Sequence, residues 1–573
     1  MANENLQDPA QVVTAEEPET KVAEGVSQTA VGRTSATERD PSTSDKFNFW
    51  LSPDIIVNPF DIVEVEQVAP ENKASKTYGL VTILEHRTDA PNHLANFISS
   101  NFGNITEEPN TPRQGTTVAK VNVLSNNANV YMPVPNERLV KFADAKGIEE
   151  ALGIDQMEVK NRIPAGLISM SNGASAVAHI DRRYVLGPES AHINISGISG
   201  LATKTSYAMF IVQSILQKAD DPSKMAVIIM NVKQADLLHI DERGPGLPAD
   251  QKEMWEKLGL EPKPFESGKV HYLLPRSKDG KQPNSFFPPD IYTIYAYDLK
   301  ATADKLDLLF SDVSDPSGTM ESIIGDIMMG LQAEHSDFKN VASWSQLLYG
   351  LPLYKDGQTQ RWGDHHKASV GKFRRHLRRL VQTRQTGIFV DSRATNEKLL
   401  SVEIGKIKGG HIYVVDIAKL ADAEQTLVFG DLLKTVYSMK AEAPEEGEEE
   451  APEKIIFFVD ELNKYAPSGA KTSPISEQVL DIAERGRSLG VVLISAQQFM
   501  SAVHSRVTGN AATKVIGRSG SAEVLQPDYR FLDDDLKLNV TRLNKGELLL
   551  CHAIYRQPVK VIFPKPAYKQ QQV

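Results

Sequence analysis

The chain has 573 residues, of which 41% are hydrophobic and 24% charged, with a formal net charge of −11. That length exceeds one hydrophobic core, so two or three domains are expected, and the acidic balance excludes a protein that coats nucleic acid over its whole surface. A single cysteine, Cys551, excludes an intrachain disulfide or a cysteine-rich metal site. With no apolar run of about 18 residues and no basic-then-apolar leader, the expectation is a cytoplasmic protein that does not enter a membrane.

Residues 1–46 are rich in Glu, Thr, Ser, Ala and Gln without a sustained apolar period, and are expected to form a disordered acidic tail. From 47 to 164 the signals are short strands at Asp61–Val68, Thr77–Leu84, Thr116–Leu124 and Ala128–Pro135, separated by turn residues. Strands at this spacing predict a small β-barrel. From 165 to 566 strands alternate with helices. Ile193–Ser196, Met225–Val232, Gly410–Ile417, Lys454–Glu461 and Gly490–Gln497 contain short apolar runs expected as parallel strands covered on both faces. Between about 249 and 386 the text is mostly helical, as in Met320–His335 and Lys372–Thr383, and predicts a helical insertion. The acidic tract 440–453 is expected to be a solvated loop, and 567–573 a C-terminal tail.

The segment from Ile193 to Leu216 has the order strand, small-residue loop, amphipathic helix. Phosphate binding needs that order, because small residues let backbone N–H groups face the anion and the helix start adds partial positive charge. Gly197, Ser199, Gly200 and Ser206 would help form the cradle, Lys204 would reach the β/γ-phosphates of ATP, and the Thr205 hydroxyl would sit on Mg²⁺. The loop departs from G-x-x-x-x-G-K-[ST]: six residues separate Gly197 from Lys204, and Thr203 stands where the last glycine belongs. A plain turn before a helix would read much the same.

The run Lys454–Glu461 ends in two adjacent carboxylates, delivered to the edge of a sheet where ligands bind in open α/β folds. Asp460 would hold Mg²⁺, and Glu461 would orient or deprotonate the attacking water. An acidic pair capping a helix is the simpler alternative, but the two half-sites together in one chain predict a P-loop NTPase.

These residues, with Phe458–Pro467, Ile482–Gln498 and the closing run Leu543–Pro566, resemble the HerA branch of the FtsK–HerA ATPases over most of the chain after about residue 50. The resemblance implies a RecA-like core behind a β-barrel, assembled as a homo-oligomer, expected to be a hexamer, that translocates duplex DNA. It also implies a trans-acting nuclease or, as in phage-defence systems, a sirtuin-like effector. By the same resemblance Gln497 matches the polar sensor position, and Arg485 or Arg487 would act in trans on a neighbour's nucleotide, with Arg518 a weaker candidate. The basic run Lys372–Leu380 suits a DNA-facing lumen, although a solvated helix face is the plainer reading. The altered loop leaves a second function open: an ATPase-like scaffold or regulator that presents a partner enzyme with little motor activity. An NTPase acting on protein or signalling substrates is a third.

Overall fold

The computed structural model describes residues 30–570, apart from 71–72, 109–113, 199–203, 312, 314, 316, 334–336, 351–360, 443–449 and 470–472. Six strands, β1 (Ala30–Thr34), β2 (Lys46–Leu51), β3 (Ile62–Val68), β4 (Ala74–Thr88), β5 (Gly115–Asn126) and β6 (Leu139–Phe142), close into an antiparallel barrel in the order β1-β2-β5-β4-β3-β6. Along β3 the side chains alternate, with Val63, Val65 and Gln67 buried and Glu66 and Val68 exposed, as a closed sheet with one wet face requires.

The barrel differs from the expectation in three places. Its first strand lies inside the stretch expected as a tail. In Ala30–Thr34 only Val31 is large and apolar, so no period is legible, and the strand owes its form to pairing with β2 and β6. Residues 1–29 lie outside the described residues. Ala128–Pro135 is not a strand, because Pro133 and Pro135 have no N–H to give a ladder. The change of architecture falls before 164, since Pro164 sits within the next strand, Arg162–Ser169.

The second sheet has thirteen strands. In chain order they are β7 (Arg162–Ser169), β8 (Ser175–Asp181), β9 (Ala191–Ser196), β10 (Met225–Asn231), β11 (Val270–Pro275) and β12 (Thr293–Tyr295), then, past a small hairpin of β13 (Arg361–Trp362) and β14 (His365–His366), β15 (Glu397–Lys398), β16 (Ile412–Asp416), β17 (Lys454–Asp460), β18 (Val491–Gln497), β19 (Ala511–Ile516), β20 (Glu547–His552) and β21 (Val559–Ile562). Across the sheet the order is β15-β12-β11-β16-β10-β17-β18-β9-β19-β20-β21-β7-β8. Pairing is parallel from β15 to β19 and antiparallel thereafter. The α/β core and the barrel ahead of it are the expected fold class.

Both faces of the parallel part are covered, which explains why its strands read as continuous apolar runs. In β17, Ile456 and Phe458 join the core shared with the barrel side, while Ile455, Phe457 and Val459 join the core on the opposite face. The region expected as a helical insertion contributes two strands to this sheet, β11 and β12. Their short runs Val270–Pro275 and Thr293–Tyr295 lie among polar loops that hide them. The helices Thr319–Gln332, Trp344–Tyr349 and Lys367–Arg378 follow them. The described part of the expected C-terminal tail is packed: Ala567 and Tyr568 are buried, and the Ala567 carbonyl accepts from Gly244 N–H at 3.0 Å, while 571–573 lie outside the described residues. Of the acidic tract, 443–449 lie outside the described residues.

Candidate functional site

Parallel pairing brings one end of three strands to a common edge. Gln497 at the end of β18 is level with Ser196 at the end of β9, and Asp460 at the end of β17 is level with Ala496. Strand β18 therefore stands between the loop-bearing strand β9 and the carboxylate-bearing strand β17, at the carboxyl edge where open α/β sheets bind ligands.

The exit of β9 is pinned on both sides. Gly197 N–H donates to Gln498 O at 3.2 Å, Ile198 N–H donates to Arg518 O at 2.9 Å, and Gly517 N–H donates to Ser196 O at 2.7 Å. Gly197 has φ +147°, and a Cβ there would lie 3.0 Å from Gly517 Cα, so this position requires glycine. Ser199, Gly200 and Thr203, expected in the phosphate cradle, lie outside the described residues.

The helix Lys204–Lys218 follows, apolar and buried along most of its length. Lys204 is buried at its start and donates to Gly197 O at 2.9 Å, folding the lysine back over the strand exit. Burial pushes its ammonium pKa down, Asp460 opposes that, and Lys233 adds to it. Thr205 is half-buried, and Ser206 is buried with its hydroxyl 3.3 Å from Gln570 Nε2.

On the other side of β18, Asp460 is buried and one of its oxygens accepts Glu461 N–H at 2.9 Å. Glu461 takes the left-handed conformation, φ 59° and ψ 41°. For a non-glycine residue this costs about 1–3 kcal/mol, and such strain clusters at functional sites. Lys233 joins the pair, with Nζ 3.2 Å from Asp460 Oδ2 and 2.7 Å from Glu461 Oε1. Burial would raise the Glu461 carboxyl, but the hydrogen bond and charge of Lys233, with Gln498 and Lys204 adding, hold it below the usual carboxylate range. Burial works against the Lys233 charge too, and the two carboxylates outweigh it, raising its pKa. Nearby Asp236 is pushed up by burial, against Lys233 and with Asp460.

Gln497 is fully buried between the halves. Its Nε2 donates to Asn194 Oδ1 at 2.9 Å, and Asn194 in turn donates to Ser495 Oγ at 2.9 Å. Among the described residues Gln497 Oε1 has no hydrogen-bond partner, while Ser196 Oγ faces the Tyr529 hydroxyl. An orphaned polar atom at this edge, beside lysine, hydroxyl and carboxylate groups, suits a phosphate group and a hard cation with oxygen ligands.

Arg485 and Arg487 are elsewhere. They lie in the last turns of the helix Pro474–Leu489, which leads into the start of β18, the end of that strand opposite Gln497. Arg485 is exposed and pairs with Asp481 at 3.1 Å, while Arg487 donates to Glu189 O at 2.8 Å. Arg518 follows β19 at the same edge as Gly197, with its side chain exposed. A cavity of about 1400 Å³ is lined by Asp307, Ile324, Tyr437 and Gln478, and Lys204, Asp460, Glu461 and Gln497 take no part in its lining.

Sequence reasoning missed Lys233, Asp236, Gln498 and Asn194. The signal for the first two was position: they are early polar residues after the apolar run of β10, at the same sheet edge. No family model and no curated protein matches the chain. Among solved structures it is similar to the bacterial conjugative coupling protein TrwBdeltaN70 in its unbound form, at 12% identity and a TM-score of 0.41, over 72% of this chain and 93% of that one. It is also similar to the plasmid coupling protein TrwB in complex with ADP and Mg²⁺, at 12% identity and a TM-score of 0.39, over 66% and 88%. The genome packaging NTPase B204 of Sulfolobus turreted icosahedral virus 2, in complex with ATP-gammaS, follows at 15% identity and a TM-score of 0.21, over 29% and 72%.

Proposed function

We propose that this chain is an ATP hydrolase whose nucleotide lies across the carboxyl edge of β9, β18 and β17. One observation carries the reading: Lys204 and the Asp460–Glu461 pair, 256 and more positions apart in sequence, face the same edge on either side of buried Gln497. In this reading Lys204 and the N–H groups of the β9 exit hold the phosphates. Thr205 and Asp460 hold Mg²⁺, which when bound neutralises charge on the phosphate oxygens. Glu461, kept ionised by its cationic neighbours, takes the proton of the attacking water. Gln497, anchored through Nε2 to Asn194, offers Oε1 to orient that water.

Arg485 and Arg487 have a place in this scheme only if a neighbouring copy presents them, so the active form is a homo-oligomer, expected to be a hexamer. Duplex DNA as the translocated substrate rests on the resemblance to the HerA branch. The exposed residues Lys372, Arg375, Arg378 and Arg379 are among the groups on this chain suited to phosphate backbones. A trans-acting nuclease or sirtuin-like effector is part of the same reading. The scaffold alternative is favoured by Thr203 at the position of the expected glycine.

The test is ATP turnover by protein of measured solution mass, with and without duplex DNA. Glu461→Gln is expected to retain ATP binding and lose about 10²–10⁴ in rate, and Lys204→Ala to lose binding. DNA should accelerate the wild type. Turnover indifferent to DNA, with an effector still activated by Glu461→Gln, would make the scaffold reading the correct one.

A further inference from the structure

Lys233 sits where the chain leaves β10, the strand next to β17. Met230 of β10 is level with Val459, one residue before Asp460. There the chain turns sharply: Asn231 Nδ2 donates to Gln234 O at 2.8 Å and to Asp416 Oδ1 at 2.8 Å, and Gln234 takes a left-handed φ of 44°. The turn holds Lys233 across the end of β17. Its ammonium contacts one oxygen of each carboxylate, at 3.2 Å and 2.7 Å, while the other Asp460 oxygen is taken by Glu461 N–H. Asp460 is buried, whereas the Lys233 side chain is 43% exposed, so the carboxylates are fixed and the lysine has room to move.

This arrangement sets a conflict. The oxygens that would receive a divalent cation are the ones that carry the ammonium, and two cations on one carboxylate repel. A lysine with a flexible four-carbon stem and an outlet to solvent is the partner that can leave. We propose that Lys233 is a positioning residue that competes with Mg²⁺ for the Asp460 carboxylate while it pairs with Glu461, so that the metal is admitted only as the lysine lets go. The inference rests on the reading of this edge as a Mg²⁺–ATP site and adds a control over its loading. Lys233 keeps two like charges compensated, and it makes metal entry a step that any event moving the β10 turn can favour or oppose. That turn is braced by Asp416 on β16, so its position is coupled to the neighbouring strand.

The experiment measures binding of a non-hydrolysable ATP analogue to the full chain as a function of Mg²⁺ concentration, and again in EDTA. In Lys233→Met, which keeps the stem and removes the charge, the Mg²⁺ concentration for half-saturation is expected to fall at least about threefold, while binding in EDTA stays level or weakens. Lys233→Arg should restore the wild-type Mg²⁺ requirement. A purely structural ion pair would instead weaken binding under both conditions. A fall smaller than about threefold, no change or a rise in a folded Lys233→Met protein overturns the inference; if that variant fails to fold, Lys233→Gln is judged by the same threshold. Wild-type protein that binds no analogue overturns the nucleotide reading itself, whereas Mg²⁺-dependent binding by wild type with an unshifted variant overturns the competition alone.

Discussion

Two buried histidines make the stability of the α/β core sensitive to acid. His192, second in β9, accepts the Leu493 N–H through Nδ1 at 2.9 Å, and His552, last in β20, accepts the Asp181 N–H through Nε2 at 2.9 Å. Each ring must stay neutral to accept, and burial pushes each down to about 4 from an ordinary 6.5. Below pH 6.5 the unfolded chain therefore binds protons that the folded chain refuses. Stability is complete above pH 6.5 and declines as the pH falls toward 4. At pH 5 each ring costs about 2 kcal/mol relative to pH 7.5, so the two together cost about 4 kcal/mol. Buried Asp416 and Glu424, with carboxyls pushed up chiefly by burial, shift the balance the other way, so the wild-type slope alone is a mixture. The comparison is with His192→Asn plus His552→Gln, which place a neutral acceptor near Nδ1 and Nε2. Asparagine also tolerates the left-handed φ of 71° at position 192. Urea unfolding at both pH values, followed by tryptophan fluorescence to which buried Trp255 and Trp344 contribute, should show the wild type losing about 4 kcal/mol more than the double variant. Equal losses would refute the reasoning.

Gly197→Ala forces a methyl group to 3.0 Å from Gly517 Cα at a φ of +147°, so nucleotide binding in a filter or fluorescence assay should drop at least about tenfold, with about 1–2 kcal/mol of stability lost. Unchanged binding would show that the β9 exit does not shape the cradle. Arg485→Ala and Arg487→Ala leave the chain's own nucleotide edge untouched, so each should bind ATP normally as a single chain. If one of them acts in trans, its variant alone should fall by about 10³ or more in turnover, and mixing it with Glu461→Gln protein should recover part of the activity. Deleting residues 567–573 removes buried Tyr568, the Lys569–Glu242 pair at 2.6 Å and the Gln570 contact to Ser206. It should cost about 3 kcal/mol or more, read as a lower urea midpoint.

The readable parts of this protein are those whose local pattern and tertiary role agree. β9, β10, β16, β17 and β18 are buried on both faces, so their apolar runs stand out, and the ends of those runs place Gly197, Lys204, Asp460, Glu461 and Gln497 at one edge. β1 and β12 were hidden because they are short and owe their form to neighbours far away in the chain. Lys233 escaped for another reason. A lysine after a strand is unremarkable in sequence, and only the parallel register of β10 with β17 turns it toward two carboxylates more than two hundred residues later. The strain at Glu461 was equally silent, since nothing in the residue type signals a left-handed backbone.

The interposition of β18 works as a gauge. Two ladder spacings, about 9.6 Å, lie between the axis of β9 and that of β17, and a rigid sheet does not narrow them. A ligand held at the β9 exit engages Asp460 and Glu461 only if it reaches across that fixed width. In the proposed nucleotide reading, a polyphosphate with a cation at its far end is the ligand that lies along this width. The strand order thus fixes the span between the two half-sites, with Gln497 standing at its midpoint.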